Sequence, residues 1–105
     1  MRAEVLKGHL DLLLLATVEQ EPLHGYAIVE ALRERSGGAF DLAEGTVYPA
    51  LYRLERQGRL ASAWSAGTGR RRRVYRLTRS GRKALAAERE QFTHFARAVG
   101  TVAGT

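Results

Sequence analysis

A chain of 105 residues with 45% apolar content has material for one modest core and not for two, which points away from a multidomain enzyme. It carries no cysteine, so a disulfide frame, a thiolate zinc ribbon, a thiol nucleophile and an iron–sulfur cluster are excluded. The formal net charge of +6 is unevenly held, since residues 1–52 carry four basic and eight acidic side chains and residues 53–105 carry thirteen basic and three acidic.

Between Arg53 and Lys83, ten arginines and one lysine face a single acid, Glu55. Charge kept only for solubility is normally mixed in sign, so this concentration points to a polyanion as partner, DNA or RNA on charge alone. The longest near-apolar stretch, residues 12–18, is far short of the roughly 20 residues that a bilayer span needs. Arg2 and Glu4, with no small-residue cleavage pattern after them, argue against a signal peptide, so no membrane and a cytoplasmic location are expected.

The first helix is expected over residues 9–19. There Leu10, Leu12, Leu13, Leu14, Leu15, Ala16 and Val18 are apolar nearly all round, which suits burial on two sides. One side is the domain's own core, and the other is a partner subunit or the rest of a small bundle. Pro22 and Gly25 then punctuate the chain before a second helix, from 24 or 25 to 36, in which Ile28 and Leu32 recur at helical spacing and Gly37-Gly38 makes the stop.

A third helix starts somewhere between residues 43 and 49 and runs to Gln57, with Val47, Ala50, Leu51 and Leu54 in one stripe and Gly58 as terminator. Pro49 lacks a backbone donor, so local chemistry alone would start this helix at the proline, and Ala43 makes a poor N-cap. The opposite face carries Thr46, Pro49, Arg53 and Arg56.

Residues 60–65 and 73–78 read as two strands of a hairpin, joined through Ala66-Gly67-Thr68-Gly69 and tipped by a block of four arginines. Leu60 shares a pleat face with Trp64, as Tyr75 does with Leu77, and Trp64 is assigned to core or hairpin packing.

Thr78 is placed to cap a last helix over residues 79–99, where Leu85, Phe92 and Val99 repeat every seven with Phe95 and Val102 beside them. Such a seam asks for a second copy of the chain across Leu85, Phe92, Phe95 and Val99, the alternative being that it folds back on its own domain. Residues 100–105 are expected to fray. The organisation is thus a domain over 1–78, a dimerisation helix over 79–99 and a short tail.

Three helices followed by a two-stranded hairpin is the order of a winged helix-turn-helix, a mainly α (α+β) fold, here with a C-terminal dimerisation helix. Three stretches go further: His24-Gly25-Tyr26-Ala27-Ile28, the run from Gly45-Thr46-Val47-Tyr48-Pro49 through Arg53-Leu54-Glu55 to Gly58, and Arg73-Val74-Tyr75-Arg76-Leu77-Thr78-Arg79-Ser80-Gly81. Together they closely resemble the signature of the PadR family of bacterial transcriptional regulators, over about residues 8–85. Ala43-Glu44 stands where that family often has a serine-proline pair. The resemblance implies a homodimeric repressor paired through its first and last helices. It also implies a recognition helix that includes Thr46 to Pro49, against the local reading of Pro49.

For double-stranded DNA, a pseudo-palindromic operator, the third helix offers the Thr46 and Tyr48 hydroxyls and Arg53, and the wing offers Arg70, Arg71 and Arg72 for phosphate or an adjacent minor groove. Lys7 and Tyr26 resemble positions that meet backbone phosphate in the family. Their plainer readings are ordinary surface for Lys7 and partial packing for Tyr26.

Phe92 and Phe95 facing Leu12 and Leu15 would line a chamber for a small aromatic effector at the two-fold axis, an idea that the family's drug- and phenolic-acid-binding members support. The alternative is aromatic packing on the seam. His9, His24 and His94 lack metal-ligand spacing, and no catalytic triad, carboxylate pair or phosphate loop is visible. Neither metal, cofactor nor enzymatic activity is expected. The competing class is a winged-helix module whose arginine block meets an acidic protein partner.

Overall fold

The leucine-rich segments have to leave water together, and the elements that result are α1 (Leu10–Thr17), β1 (Leu23–His24), α2 (Gly25–Arg35), α3 (Glu44–Arg56), β2 (Leu60–Trp64), β3 (Arg73–Leu77) and α4 (Arg79–Ala103). They are seen in a computed structural model that describes residues 6–66 and 69–105. This is a winged helix-turn-helix with a long C-terminal helix. The Arg2 and Glu4 reading and part of the expected wing turn, residues 67 and 68, lie outside the described residues.

Leu14 and Leu15 of α1, Ile28 and Leu32 of α2, and Val47, Leu51 and Leu54 of α3 converge on Leu60, Tyr75 and Leu77 of the sheet and Leu85 of α4. Helix α3 begins at Glu44 despite Pro49, which deprives the Gly45 carbonyl of its usual i+4 partner. Local chemistry alone would have started it five residues later. Starting at Glu44 places the wholly buried Val47 in line with Leu51 and Leu54, and that packing outweighs the proline. Ala43 stands at the N-cap with no side-chain bond.

The sheet has the order β1-β3-β2, antiparallel throughout. Strand β1 was not expected, because two residues carry no readable period; it pairs Leu23 with Tyr75 and His24 with Val74. In the hairpin, Leu60 lies opposite Leu77, Ser62 opposite Tyr75 and Trp64 opposite Arg73, so these six share one face. That face is buried at its root and runs out from under the helices toward its tip. Trp64 is consequently 54% exposed and outside the core; of the two expected kinds of packing it makes the one within the hairpin, under Arg71 and Arg73.

Helix α4 departs from expectation at both ends. Leu85 is buried in the protomer's own core, not on a free seam. The helix continues past Val99 to Ala103, closed by a left-handed Gly104, so the expected frayed tail is helical except at its last two residues. Thr78 caps it as expected: its hydroxyl accepts from the Gly81 amide at 3.0 Å and donates to the Gly58 carbonyl at 2.6 Å. A Cβ at Gly81 would collide with the Arg59 carbonyl oxygen and approach Leu77 Cδ1 to 2.8 Å. No described helix is long and apolar enough to cross a membrane.

His24 caps α2, its Nδ1 accepting from the Ala27 amide at 3.3 Å, while its Nε2 lies 3.1 Å from Arg72 Nη1 in the wing. A neutral imidazole has one lone pair and Arg only donates, so the two bonds are alternatives; a protonated ring can make neither. Partial burial and then the Arg72 charge hold the His24 pKa below the ordinary 6.5, against a weaker pull from Glu30. The folded chain therefore binds fewer protons at this site than the unfolded one, and the contribution is intact above about pH 6.5 and is lost as pH falls through the folded-state value.

Gly81→Ala is expected to lower the unfolding free energy by about 1–3 kcal/mol, and Thr78→Ala by about 1 kcal/mol, both read from urea denaturation. His24→Asn keeps a capping oxygen without a titrating ring, so its melting temperature should fall less between pH 7.5 and pH 5 than that of the native chain. Equal falls would remove His24 as a source of the pH dependence.

Candidate nucleic-acid interface

With one face of α3 committed to the core, the sides left free carry, in its N-terminal turns, the half-buried Tyr48 toward α2 and, about 160° round the helix, the half-buried Thr46, with the exposed Pro49 between them. Tyr48 leans on the start of α2, its ring so close to Gly25 that a Cβ there would collide with it. Glycine at that position is thus a packing requirement. Burial, and then the Glu44 carboxylate and Tyr52, push the Tyr48 phenol above its ordinary value, so the hydroxyl remains a proton donor near neutrality. Tyr26, on the adjoining turn of α2, is exposed, and a hydrogen bond to Glu30 pushes its phenol up as well.

Opposite this face stands the wing. Arg70, Arg71 and Arg72 are exposed at its tip. The Arg71 guanidinium sits 4.8 Å over the Trp64 ring and that of Arg73 sits 5.6 Å from it, so the indole is a cation–π platform on which wing arginines rest. Between wing, α2 and α3 lies an open cleft of about 620 Å³. Tyr26, Tyr48, Tyr52, Trp64 and Tyr75 line it together with Arg70–Arg73, His24, Gly25 and Glu44. A concave surface of arginines and aromatic hydroxyls suits a phosphate backbone, with Glu44 as its one carboxylate. Tyr52 and Trp64 were missed in the sequence, although Tyr52 stands four residues after Tyr48 and so shares its side of the helix.

Not every expected residue joins this surface: Thr46 and Pro49, on other sides of α3, do not line the cleft. Arg53 turns away to α1, where Nη2 and Nη1 donate to the two Asp11 carboxylate oxygens at 2.6 and 3.1 Å. Lys7 is exposed ahead of α1, and no described contact ties it to the cleft.

The proposed effector and dimer residues also divide. Leu15 is fully buried inside the protomer and cannot line a chamber at a two-fold axis; Leu12 is half-buried. On α4, Phe92, Phe95 and Val99 remain exposed, with Val102 at 91%. His9 packs edge-on against Phe92 at 5.5 Å between ring centroids and tilted against Phe95 at 5.7 Å. The observed ring neighbours of His9 are thus phenylalanines, and among the described residues no metal-ligating cluster forms.

Comparison with known proteins agrees with this geometry. The Transcriptional regulator PadR-like family matches residues 14–87. A transcriptional regulator from Mycobacterium tuberculosis, Rv3488, is 43% identical over 67 residues, covering 64% of this chain and 63% of that protein, so this chain spans a little under two thirds of its length. Among solved structures, a transcriptional regulator from Clostridium thermocellum superposes with a TM-score of 0.88 at 26% identity, covering 96% of each chain. A PadR family transcriptional regulator from Eggerthella lenta gives 0.85 at 34% identity, over 98% of this chain and 88% of that one. With its winged helix-turn-helix, arginine wing and matched family model, the chain belongs to the PadR-like family of transcriptional regulators, DNA-binding proteins and not enzymes.

Proposed function

We propose that the chain acts as a homodimeric repressor that occupies a pseudo-palindromic operator, each protomer laying α3 in a major groove and its wing along the flanking backbone. The observation that carries this reading is the cleft in which Tyr48 and Tyr52 of α3 face the arginine wing. Thr46, Tyr48 and Pro49 would meet base edges and sugar, while Lys7, Tyr26, Arg70, Arg71 and Arg72 would hold phosphate. Arg53 is left out of this set because its fork is already filled by Asp11.

Support for pairing comes from α4, where Phe92, Phe95, Val99 and Val102 make an exposed apolar line beyond the body of the domain. A second α4 would cover it, and the two recognition helices would then be related by a two-fold axis like that of the operator. The alternative, an acidic protein partner on the wing, accounts for the arginines and leaves Thr46 and Tyr48 without a role.

The test is titration into duplex DNA at two salt concentrations, with a scrambled duplex as control. Arg71→Ala should weaken binding to both duplexes and lower the slope of log affinity against log salt by about 1. Tyr48→Phe should weaken specific binding more than nonspecific; equal losses on both would remove Tyr48 from readout. For pairing, Phe92→Glu with Phe95→Glu should yield monomers in sedimentation while the thermal melt stays cooperative. A dimer that survives both changes would sink the α4 assignment.

A further inference from the structure

A helix held to its domain by an apolar stripe alone is free to roll, because dispersion and burial have no direction. Helix α3 carries a second restraint. Three consecutive residues near its C-terminal end leave it in three directions about 100° apart. Arg53 reaches α1 through both carboxylate oxygens of Asp11. Leu54 is wholly buried in the core. Glu55 reaches the inward face of the hairpin, where its Oε2 accepts from Ser62 Oγ at 2.6 Å and from Arg73 Nη2 at 3.3 Å. The helix is thus tethered on both flanks of its buried stripe, by two-point polar contacts whose geometry is directional.

We propose that Arg53 is a positioning residue, which sets with Glu55 the roll of α3 about its own axis and so aims Thr46, Tyr48 and Pro49, without itself touching DNA. The aiming role rests on the DNA-binding reading above; the tether does not. A roll of about 10° would move an atom on the helix surface, about 6 Å from the axis, by about 1 Å. That is enough to spoil a hydrogen bond to a base edge. Asp11 suits the tether because it lies in the first turn of α1, where the helix dipole favours a carboxylate. The pair also holds the guanidinium more firmly charged. Its side chains are 40% and 22% exposed, so the pair adds little to global stability, and its contribution is orientation.

The experiment compares Arg53→Lys, which keeps the charge and loses the fork, with Asp11→Asn and with the exchange of Asp11→Arg and Arg53→Asp together, which keeps the net charge and rebuilds the pair. The probes are a duplex enriched by the native chain from a random library and its scrambled counterpart. Since the chain has no cysteine, spin labels on cysteines introduced at the exposed Gln20 and Arg56 report the placement of α3 without DNA.

The two single variants should shift or broaden the label distances and cut the preference for the enriched duplex by about tenfold, the size of one lost base contact, at an unchanged salt slope. The exchange should restore both. If Arg53 instead contacts DNA, Asp11→Asn frees it and tightens binding to both duplexes, Arg53→Lys keeps most of the affinity, and the exchange fails while the label distances stay native; that result overturns the proposal. If the native chain enriches no duplex, the DNA-binding reading fails separately, and the labels alone decide the tether: distances unchanged in both single variants overturn it. Should the exchange fail to fold, the two single variants carry the same decision.

Discussion

Burying Val47, Leu51 and Leu54 on one side of α3 stabilises the fold by about 1.5–3 kcal/mol for each side chain, against about 3 kcal/mol for a proline inside a helix. That balance explains why Pro49 neither ends the helix nor delays its start. It also dictates much of the rest. With the stripe fixed inward, Thr46, Tyr48 and Pro49 have to lie on the sides left to water, and the wing that follows Gly58 has to rise beside them. The position of Tyr48 then constrains α2, whose first residue has to be a glycine to admit the ring.

Electrostatics is sorted along the molecule in the same way. On the wing strand β3 and on the helices, Arg73, Arg53 and Arg89 pair with Glu55, Asp11 and Glu19, so their charge serves internal geometry. At the tip, Arg70, Arg71 and Arg72 form no ion pair among the described residues. Arg71 rests on Trp64, which restricts its motion without neutralising it. Within the basic run, Arg53 and Arg73 are thus committed to ion pairs, whereas Arg70, Arg71 and Arg72 keep their charge available and line the cleft.

Much of this was legible from periodicity and local chemistry. The stripe on α3, the Thr78 cap and the hairpin each follow from residues a few positions apart, and the signature stretches carried the family and the placement of Pro49. What was not legible depends on contacts between residues distant in the chain. Asp11 and Arg53 are 42 positions apart, and nothing in either neighbourhood says that the arginine turns toward α1. Leu15 and Leu85 belong to regular apolar patterns that look alike whether they face the core or a partner, and only the packing of α1 against α4 puts both inside. Trp64 sits on the inward face of its strand, yet the helices end before they reach it, a matter of lengths in three dimensions and not of alternation.

The junction around Gly81 has a consequence for how the chain tolerates changes in length. Thr78 donates to Gly58 and accepts from Gly81, while its amide donates to the Arg59 carbonyl at 3.2 Å, so the end of α3, the first wing strand and the start of α4 meet at one point. Extra residues at the wing tip would lengthen a loop and leave that point alone. One residue inserted between Gly81 and Leu85 would turn everything beyond it by about 100°. The line from Phe92 to Val102 would then swing away from His9 while α3 and the wing stayed where they are. Insertions at the tip would therefore alter reach, whereas insertions at the junction would change which way the exposed apolar line of α4 faces.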